Sequence, residues 1–275
     1  NRLFIDAHYL WGLEEKLKGF DLVHTAETYF HYTQQCLNAK KKGYVKKVIA
    51  TVLENIPYNN EGIHGRHAFK KRAREELDHI IALTKKTKDA LLVEGADEKK
   101  ITVISHYIDT KRFTPRPSPT SKILTTLFVG RLEEYKGVFD ILHAAARLMR
   151  DPKLKGYSLR FIFVGEGSQK GEMVKREKTL GLEKTVVHSS VPYDQMPDVY
   201  QSADIFVAPS KAQYRHGKPT WEEQYNTALL EAQASGLPIV TTRTGGIPEN
   251  VGDAAILVDP GDVHALAGAM KRFIL

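Results

Sequence analysis

Residues 123–149 read ILTTLFVGRLEEYKGVFDILHAAARLM, and this stretch decides the fold. Its first eight residues, 123–130, form a β-rich apolar run that ends in a glycine, as is typical of a buried strand. Residues 138–149 then place apolar side chains at helical spacing. The stretch therefore predicts a strand, a short turn and an amphipathic helix.

The same alternation continues to the end of the chain. Strands are also predicted at 159–165, 185–188, 205–208, 239–241 and 255–258, and helices at 169–180, 227–234 and from 263 onwards. Gly236 is placed to end the helix before it in the left-handed conformation. Strands separated by single helices imply a parallel sheet with right-handed crossovers. The second half is therefore predicted to be a Rossmann-like domain.

The first half is predicted to follow the same α/β pattern with fewer elements. Strands are expected at 21–24, 48–52 and 101–104, with a polar helix after the first strand and another helix over 70–84. Residues 114–121, TPRPSPTS, contain three prolines and cannot continue a helix or the interior of a sheet. We therefore predict a domain over 1–115, a linker over 116–121 and a second domain over 122–275.

Composition favours a globular protein without a membrane span. Apolar residues make up 42% of the chain and charged residues 27%. No apolar run approaches the length of a transmembrane helix. The single cysteine, Cys36, cannot form a disulfide within the chain and fits a reducing compartment, so we predict a cytoplasmic location.

Positive charge is concentrated in the first 120 residues, which hold 21 Lys and Arg against 15 Asp and Glu. Lys70, Lys71, Arg72 and Arg74 form the densest cluster. Such an excess attracts phosphates, and one hypothesis is therefore a phosphorylated or membrane-borne acceptor with peripheral membrane contact. The alternative, which we favour, is an ordinary solvated lysine-rich surface.

Several candidate binding residues follow predicted strands of the second half. Open parallel sheets bind ligands beyond the carboxyl ends of their strands. Gly130 would let backbone approach a ligand, and Arg131 and Lys136 bracket the turn into the next helix, where cations suit a diphosphate. Gly165 lies in a second glycine turn, and Val191 is a candidate ledge for a nucleotide base. Taken alone, each could equally be an ordinary turn.

The most informative stretch is WEEQYNTALLEAQASGLP at 221–238. Glu223 precedes the predicted helix, and Glu231 lies eight residues later within it. Between them, Tyr225, Asn226 and Thr227 lead into the first turn of the helix, whose free amides can donate to an anion. A carboxylate can accept hydrogen bonds from two neighbouring hydroxyls, as in a ribose diol. The alternative is an acidic residue favoured by the helix dipole and a solvated helix glutamate.

The segments GRLEEYKG, VGEGS, EAQASGLPIV and TGGIPENVGDAAILVDPGD occur in this order. Together with the spacing of Glu223 and Glu231, they resemble the donor-binding domain of family 4 of the glycosyltransferases, which have the GT-B fold of two Rossmann-like domains. The resemblance covers about residues 122–275.

The resemblance implies roles for the candidate residues. Arg131 and Lys136 would hold the diphosphate of a nucleoside-diphosphate sugar, Glu223 would contact the transferred sugar, and Glu231 would contact ribose. The implied reaction is transfer to a hydroxyl of a sugar, lipid-linked or small-molecule acceptor. It retains the anomeric configuration and needs neither a metal ion nor a cofactor.

The first half resembles the later portion of a GT-B amino-terminal domain through FDLVHTAE, VIATVLENIPYN and KITVISHYIDTKRFTP. The candidates on the acceptor side are His24, Glu27, Glu54 and Asn55. Leu53 occupies the position at which many family members carry a histidine. The opening strands and glycine-rich loop of the family have no counterpart, so the first domain is expected to be incomplete. Because an unpaired strand edge is normally covered, we expect either a longer natural chain or a strand edge covered by something else.

Three other functions remain open from the sequence. A nucleotide-sugar epimerase or a sugar-phosphate synthase would share the fold, and a catalytically inactive sugar-nucleotide sensor would share the donor site. A nucleic-acid-binding module is disfavoured, because the chain lacks interleaved aromatic and basic runs and any recognised nucleic-acid motif. The identity of the base, the sugar and the acceptor is not encoded in these motifs.

Overall fold

The computed structural model describes residues 8–59, 61–62, 65–115 and 123–275. Contacts divide the chain into two compact units. The first unit contains the residues up to His106 together with Tyr214–Tyr225, and the second contains Tyr107–Gln213 and Asn226–Leu275. The predicted linker at 116–121 lies outside the described residues. The division between the units thus falls at His106, ahead of the prolines, and a short segment of the second half belongs to the first unit.

The first unit is built on a four-stranded sheet in the order β1-β2-β3-β4, with every strand pair parallel. Its strands are β1 (Phe20–Ala26), β2 (Val45–Val52), β3 (His79–Ala82) and β4 (Ile101–Val103), and its helices are α1 (Leu13–Lys16), α2 (His31–Lys41), α3 (Arg66–Glu76) and α4 (Lys85–Val93). β1 is an edge strand of the described sheet, and its Phe20 and Leu22 are exposed. β9 (Gln213–Arg215) and β10 (Lys218–Trp221) form a separate two-stranded sheet.

The predicted helix over 70–84 is wrong beyond Glu76. Helix α3 ends there because Leu77 adopts extended backbone angles, and His79–Ala82 forms strand β3. The carboxylate of Asp78 accepts a hydrogen bond from the backbone amide of Val48 at 2.7 Å, which ties this turn to strand β2. A contact 30 residues away in sequence thus converts an apparently helical continuation into a strand.

The second unit is built on a six-stranded sheet in the order β12-β11-β8-β5-β6-β7, with every strand pair parallel. The strands are β5 (Ile123–Val129), β6 (Ser158–Val164), β7 (Val186–Ser189), β8 (Ile205–Ala208), β11 (Ile239–Thr242) and β12 (Ala255–Val258). The helices are α5 (Val138–Met149), α6 (Lys170–Leu180), α7 (Met196–Gln201), α8 (Thr227–Ala234), α9 (Ile247–Val251) and α10 (Val263–Ile274). This is the order of a doubly wound Rossmann-like sheet, which reverses between β5 and β8.

Two hydrophobic cores cover the six-stranded sheet, one on each face. Successive residues of a strand point to opposite faces. Phe128 belongs to a cluster with Phe161 and Phe163, whereas its neighbour Leu127 belongs to a cluster with Phe206. Burial on both faces explains why the strands of this unit are continuous apolar runs and could be recognised from the sequence.

The segment before the prolines packs into the second unit and is not a free linker. The side chain of Phe113 is 1% exposed and lies 5.7 Å from the ring of Tyr200, measured between ring centroids. Gly236, which follows helix α8, has a φ of 68°, so the predicted left-handed helix end is confirmed. A Cβ atom at Gly236 would lie 3.0 Å from the side chain of Pro115. The segment is therefore anchored to the second unit at Phe113 and Pro115.

Backbone approaches backbone where strands β5, β6 and β8 end. A Cβ atom at Gly165 would lie 2.0 Å from the carbonyl oxygen of Gly130, and one at Gly167 would lie 2.3 Å from that of Leu132. A Cβ atom at Gly137 would lie 2.1 Å from the carbonyl oxygen of Pro209. Such separations are below van der Waals contact, so only glycine fits. Close packing between loops therefore explains why Gly137, Gly165 and Gly167 are glycines.

Replacing Gly165 with Ala should destabilise the second unit. The added methyl group would collide with a carbonyl, and the φ of 140° at this position is unfavourable for other residues. We expect a loss of about 2–4 kcal/mol in the free energy of unfolding, measured by urea denaturation. Gly171→Ala is the matched control, since a Cβ there meets nothing within 4 Å and alanine favours helix α6. Equal stability of the two variants would contradict the packing argument.

Candidate functional site

The loop after strand β5 carries both predicted cations. Arg131 is exposed and Lys136 is partly exposed. The guanidinium carbon of Arg131 lies 5.5 Å from the ring centroid of Tyr135, and the ammonium of Lys136 lies 5.9 Å from the same centroid. The two cations therefore lie on one short loop, next to the point where the order of the strands reverses.

Lys211 is a third cation at this end of the sheet, and sequence reasoning missed it. It follows strand β8, and its backbone amide donates a hydrogen bond to the carbonyl of Tyr135 at 2.7 Å. Its ammonium lies 3.1 Å from the carboxylate of Asp140, in the first turn of helix α5. The feature that could have identified it is its position three residues after β8, the strand that lies next to β5 in the sheet.

The loop after β5 is held by the loop after β6. The amide of Leu132 donates to the carbonyl of Glu166 at 2.9 Å. The carboxylate of Glu133 accepts from the backbone amide of Ser168 at 2.8 Å and from its hydroxyl at 2.7 Å. These two hydrogen bonds lower the pKa of Glu133, so it remains ionised. The loop after β6 thus fixes the loop that carries Arg131.

Glu231 lies inside helix α8 and is only 7% exposed. The hydroxyl of the fully buried Tyr200 donates a hydrogen bond to one oxygen of its carboxylate at 2.6 Å. Burial raises the pKa of Tyr200 well above its ordinary value, and the charge of Glu231 adds to the effect. The alternative interpretation of Glu231 as a solvated helix residue is therefore wrong, and its carboxylate has a defined orientation.

Tyr193 lies close to the carboxylate of Glu231. Burial raises the pKa of Tyr193, and the charge of Glu231 and a hydrogen bond to it raise it further. Arg112 donates to the carbonyl of Tyr193 at 2.6 Å, and its guanidinium carbon lies 4.4 Å from the centroid of the Tyr193 ring. Val191, the predicted ledge for a base, is half-buried two residues earlier. These contacts fix the loop after β7, and sequence reasoning missed Arg112 and both tyrosines.

Helix α8 begins at Thr227, as predicted. Asn226 before it has a φ of 60°, a left-handed conformation that is uncommon for residues other than glycine. Its carbonyl oxygen accepts a hydrogen bond from the side-chain amide of Asn250 at 3.0 Å. The start of the helix is therefore held by a side chain from helix α9.

Glu223 and Tyr225 belong to the first unit, whereas Asn226, Thr227 and Glu231 belong to the second. Glu223 is 5% exposed, and its backbone carbonyl accepts from the side-chain amide of Asn55 at 3.2 Å.

Two further contacts hold the same segment to the first unit. Asn59 donates from its side chain to the carbonyl of Thr220 at 3.2 Å, and Lys86 forms an ion pair with Glu222. The segment that carries Glu223 is thus attached at three points.

Glu27 and Glu54 follow strands β1 and β2, which are neighbours in the sheet. Glu27 is 5% exposed and one of its oxygens accepts from the backbone amide of Leu53 at 2.9 Å. Burial raises the pKa of Glu27 to about 7, and the charge of Glu54 contributes. Burial also raises the pKa of Glu54, whose oxygens accept from the amide of Ile56 and the side chain of Asn59. We refer to Glu27, Glu54 and Asn55 as the acceptor edge.

His24 lies within strand β1, short of its end. It is exposed, and its Nε2 lies 2.8 Å from the hydroxyl of Thr51. With Leu13, Val23 and Tyr32 it lines an apolar groove of about 550 Å³. Of the four residues predicted on the acceptor side, the structure therefore brings together Glu27, Glu54 and Asn55 and places His24 in a separate groove.

Two of the four cations in the predicted basic cluster on helix α3 are internal. Lys70 is 1% exposed and Arg74 is 8% exposed, and both bind the carboxylate of Glu94, Arg74 at 2.8 Å. Arg72 donates to the side chain of Asn38 at 2.8 Å. The hypothesis that these cations face an anionic surface is wrong for Lys70 and Arg74, because a partner distant in sequence neutralises them.

Within the described ranges, no helix is both long and apolar enough to cross a bilayer. Among the same residues, no group of three or more His, Cys, Asp or Glu side chains is arranged to hold a metal ion.

Two family descriptions match the chain. Glycosyltransferase Family 4 matches residues 1–112, and Glycosyl transferases group 1 matches residues 124–275. The second match covers more than half of the sequence. The chain therefore belongs to the group 1 glycosyl transferases, and the predicted enzyme class is confirmed at the level of the family.

Curated relatives agree with this assignment. The D-inositol 3-phosphate glycosyltransferase of Corynebacterium aurimucosum is 28% identical, with 98% of this chain and 63% of that protein aligned. The mannosylfructose-phosphate synthase of Agrobacterium fabrum is 30% identical, with 99% of this chain and 61% of that protein aligned. The chain thus spans somewhat more than three-fifths of the length of these two relatives.

Solved structures show the same fold. Anabaena HepE in complex with UDP-glucose has a TM-score of 0.71 at 20% identity, covering 92% of this chain and 69% of that one. Sucrose-phosphate synthase from Thermosynechococcus elongatus has a TM-score of 0.71 at 20% identity, covering 93% and 65%. The predicted GT-B fold is confirmed.

The raised pKa of Glu27 predicts a pH-dependent stability. The folded state binds the proton more tightly than the unfolded chain, whose glutamate pKa is 4.5. Stability from this group is therefore fully present below pH 4.5 and is lost as the pH rises through about 7. Glu27→Gln keeps an acceptor for the Leu53 amide and has no charge to bury.

Urea denaturation at several pH values tests this expectation. From pH 5 to pH 8, the unfolding free energy of Glu27→Gln should rise relative to that of the parent protein by roughly 2–3 kcal/mol. Taking the difference between the two proteins removes the titration of the other carboxyl groups. An unchanged difference over this range would show that the pKa of Glu27 is not raised.

Proposed function

We propose that the chain belongs to a retaining glycosyltransferase that moves a sugar from a nucleoside-diphosphate sugar to a hydroxyl acceptor. The observation that carries the proposal is the pair of cations, Arg131 and Lys136, on a fixed loop beside the strand-order reversal of a Rossmann-like sheet. Ligands of such sheets bind at this place. The UDP-glucose complex of HepE, a protein of the same fold, supports the choice of donor.

In the proposed reaction, breaking the bond between sugar and phosphate leaves negative charge on the diphosphate. Arg131 and Lys136, on a loop whose backbone is fixed in advance, stabilise this charge as it develops. The amides in the first turn of helix α8 add a further set of donors. In this proposal the cations perform the charge neutralisation for which other enzymes use a divalent metal, and no cofactor is required.

The two glutamates take separate parts in the proposal. Glu231 accepts hydrogen bonds from the ribose hydroxyls, supported by the hydroxyl of Tyr200, which fixes one carboxylate oxygen. Glu223 contacts the transferred sugar, supported by its burial and by the hold of Asn55 on its backbone. The buried, single Cys36 is compatible with the proposed cytoplasmic location.

The names of two relatives contain phosphorylated compounds, D-inositol 3-phosphate and mannosylfructose phosphate. A synthase of sugar phosphates is therefore the second candidate, and it differs from the first only in the acceptor. Product analysis by NMR with and without acceptor separates transfer from epimerisation, and the coupling constant of the anomeric proton reports retention. A product with the inverted anomeric centre would contradict the proposed mechanism.

Removing either cation should weaken donor binding. Each charge-assisted contact is worth about 1.5–3 kcal/mol, so Arg131→Ala and Lys136→Ala should each raise the Kd for UDP about tenfold to a hundredfold. Isothermal titration calorimetry measures this change. Lys178→Ala, at an exposed position of helix α6, is the matched control and should leave the Kd unchanged. Normal UDP binding by both site variants would exclude a diphosphate at this loop.

The glutamate variants should separate binding from turnover. Glu231→Gln should raise the Kd for UDP about tenfold, because the ribose loses a charged acceptor. Glu223→Gln should lower the turnover number and leave the Kd for UDP unchanged, because its partner is the sugar. Calorimetry with UDP and initial rates with UDP-glucose provide the two readouts. UDP binding by Glu231→Gln at the parental affinity would remove the ribose role.

A further inference from the structure

Two buried oxygens at the acceptor edge have no hydrogen-bond donor among the described residues. They are Oε2 of Glu27 and Oδ1 of Asn55, in side chains that are 5% and 1% exposed. Buried polar atoms in folded proteins are nearly always hydrogen-bonded, because leaving them unpaired is costly. The two oxygens therefore indicate a partner that the described polypeptide does not supply.

The two side chains are close in the fold. The other oxygen of Glu27 accepts from the amide of Leu53, two residues before Asn55. The side-chain amide nitrogen of Asn55 donates to the carbonyl of Glu223, so its unpaired oxygen lies beside the segment that carries the proposed sugar-contacting residue. Both unpaired atoms are thus at the end of the sheet where Glu223 is held.

The electrostatics of the acceptor edge favour a neutral ligand. Glu27 and Glu54 are close enough for the charge of one to raise the pKa of the other. Among the nearby cations, Lys70 and Arg74 already bind Glu94, and Arg66 lies over the ring of Tyr29. A phosphate placed at this edge would meet carboxylates, whereas a hydroxyl would donate to the unpaired oxygens.

We propose that the acceptor edge binds a neutral polyhydroxyl acceptor, a sugar or polyol without phosphate, through hydrogen bonds that its hydroxyls donate to Glu27 and Asn55. This inference rests on the proposed function and specifies its acceptor. The edge would select neutral over phosphorylated acceptors partly by repulsion, since the buried carboxylates disfavour a phosphorylated form of the same compound.

The test measures UDP release from UDP-glucose by the 275-residue chain. The acceptors are fructose, glucose and myo-inositol, each compared with its monophosphate. We expect at least one neutral compound to accelerate UDP release, with a kcat/KM about tenfold or more above that of its phosphate. Equal or greater kcat/KM for the phosphates would overturn the inference, as would the absence of any acceleration by the neutral compounds while UDP-glucose binds.

Failure of the proposed function has a different signature. In that case UDP-glucose shows no binding by calorimetry and no hydrolysis, whatever the acceptor. The acceptor edge then has no donor with which an acceptor could react, and the result contradicts both proposals.

Glu27→Gln places an amide where the inference requires an acceptor and, at pH 8, where a carboxyl of pKa about 7 is mostly ionised, removes the charge that repels phosphate. The ratio of kcat/KM for the neutral compound to that for its phosphate should fall about tenfold, with the Kd for UDP unchanged. Glu75→Gln, at an exposed position of helix α3, makes the same chemical change and should leave the ratio unchanged. A purely structural role of Glu27 would lower both rates equally and preserve the ratio. Should Glu27→Gln unfold, the ratio measured on the parental chain decides alone.

Discussion

The second unit depends on close contact between backbones at the carboxyl ends of its central strands. Gly165 lies against the carbonyl of Gly130, Gly167 against Leu132, and Gly137 against Pro209. A side chain at any of these glycines would push the loops apart. Because these loops carry Arg131, Lys136 and Lys211, the packing of the backbone sets the positions of the charges. A glycine-rich sequence beside a predicted phosphate site thus has a structural explanation that is complete without the phosphate.

This arrangement suits the proposed chemistry. Stabilising a leaving diphosphate requires charges that are in place before the bond breaks, because reorganising them would add to the barrier. A long cationic side chain on a mobile loop would have to be ordered at each turnover, at a cost in entropy. The hydrogen bonds between Glu133 and Ser168 restrict that freedom. In the proposed mechanism they therefore contribute without contacting any substrate.

Burial has different consequences for the glutamates of the two units. Glu231 is buried beside the hydroxyl of Tyr200, which donates to its carboxylate. Glu27 is buried to a similar degree, but one of its oxygens lacks a donor and its pKa rises to about 7. The carboxylate of Glu231 thus has an internal donor, whereas one oxygen of Glu27 is left to accept a hydrogen bond from a ligand.

Local patterns predicted the strands and helices of the second unit closely, because burial on both faces leaves long apolar runs. Helix α5, helix α8 and strand β8 have the predicted bounds. Errors arose where distant contacts decide the structure. Strand β3 is fixed by Asp78 reaching strand β2, and Lys70 is neutralised by Glu94, 24 residues later. Lys211 and Tyr200 escaped notice because their partners are brought to them only by the folded sheet.

The segment 214–225 shows why spacing in sequence is a limited guide to a site. Glu223 and Glu231 are eight residues apart, yet their contacts assign them to different units. Three side chains of the first unit, Asn55, Asn59 and Lys86, hold the segment that carries Glu223. Two of them belong to the loop after β2, which also carries Glu54. A change in this loop therefore acts on the acceptor edge and on Glu223 together. The residue proposed to contact the transferred sugar is thus positioned by the part of the chain that is proposed to bind the acceptor.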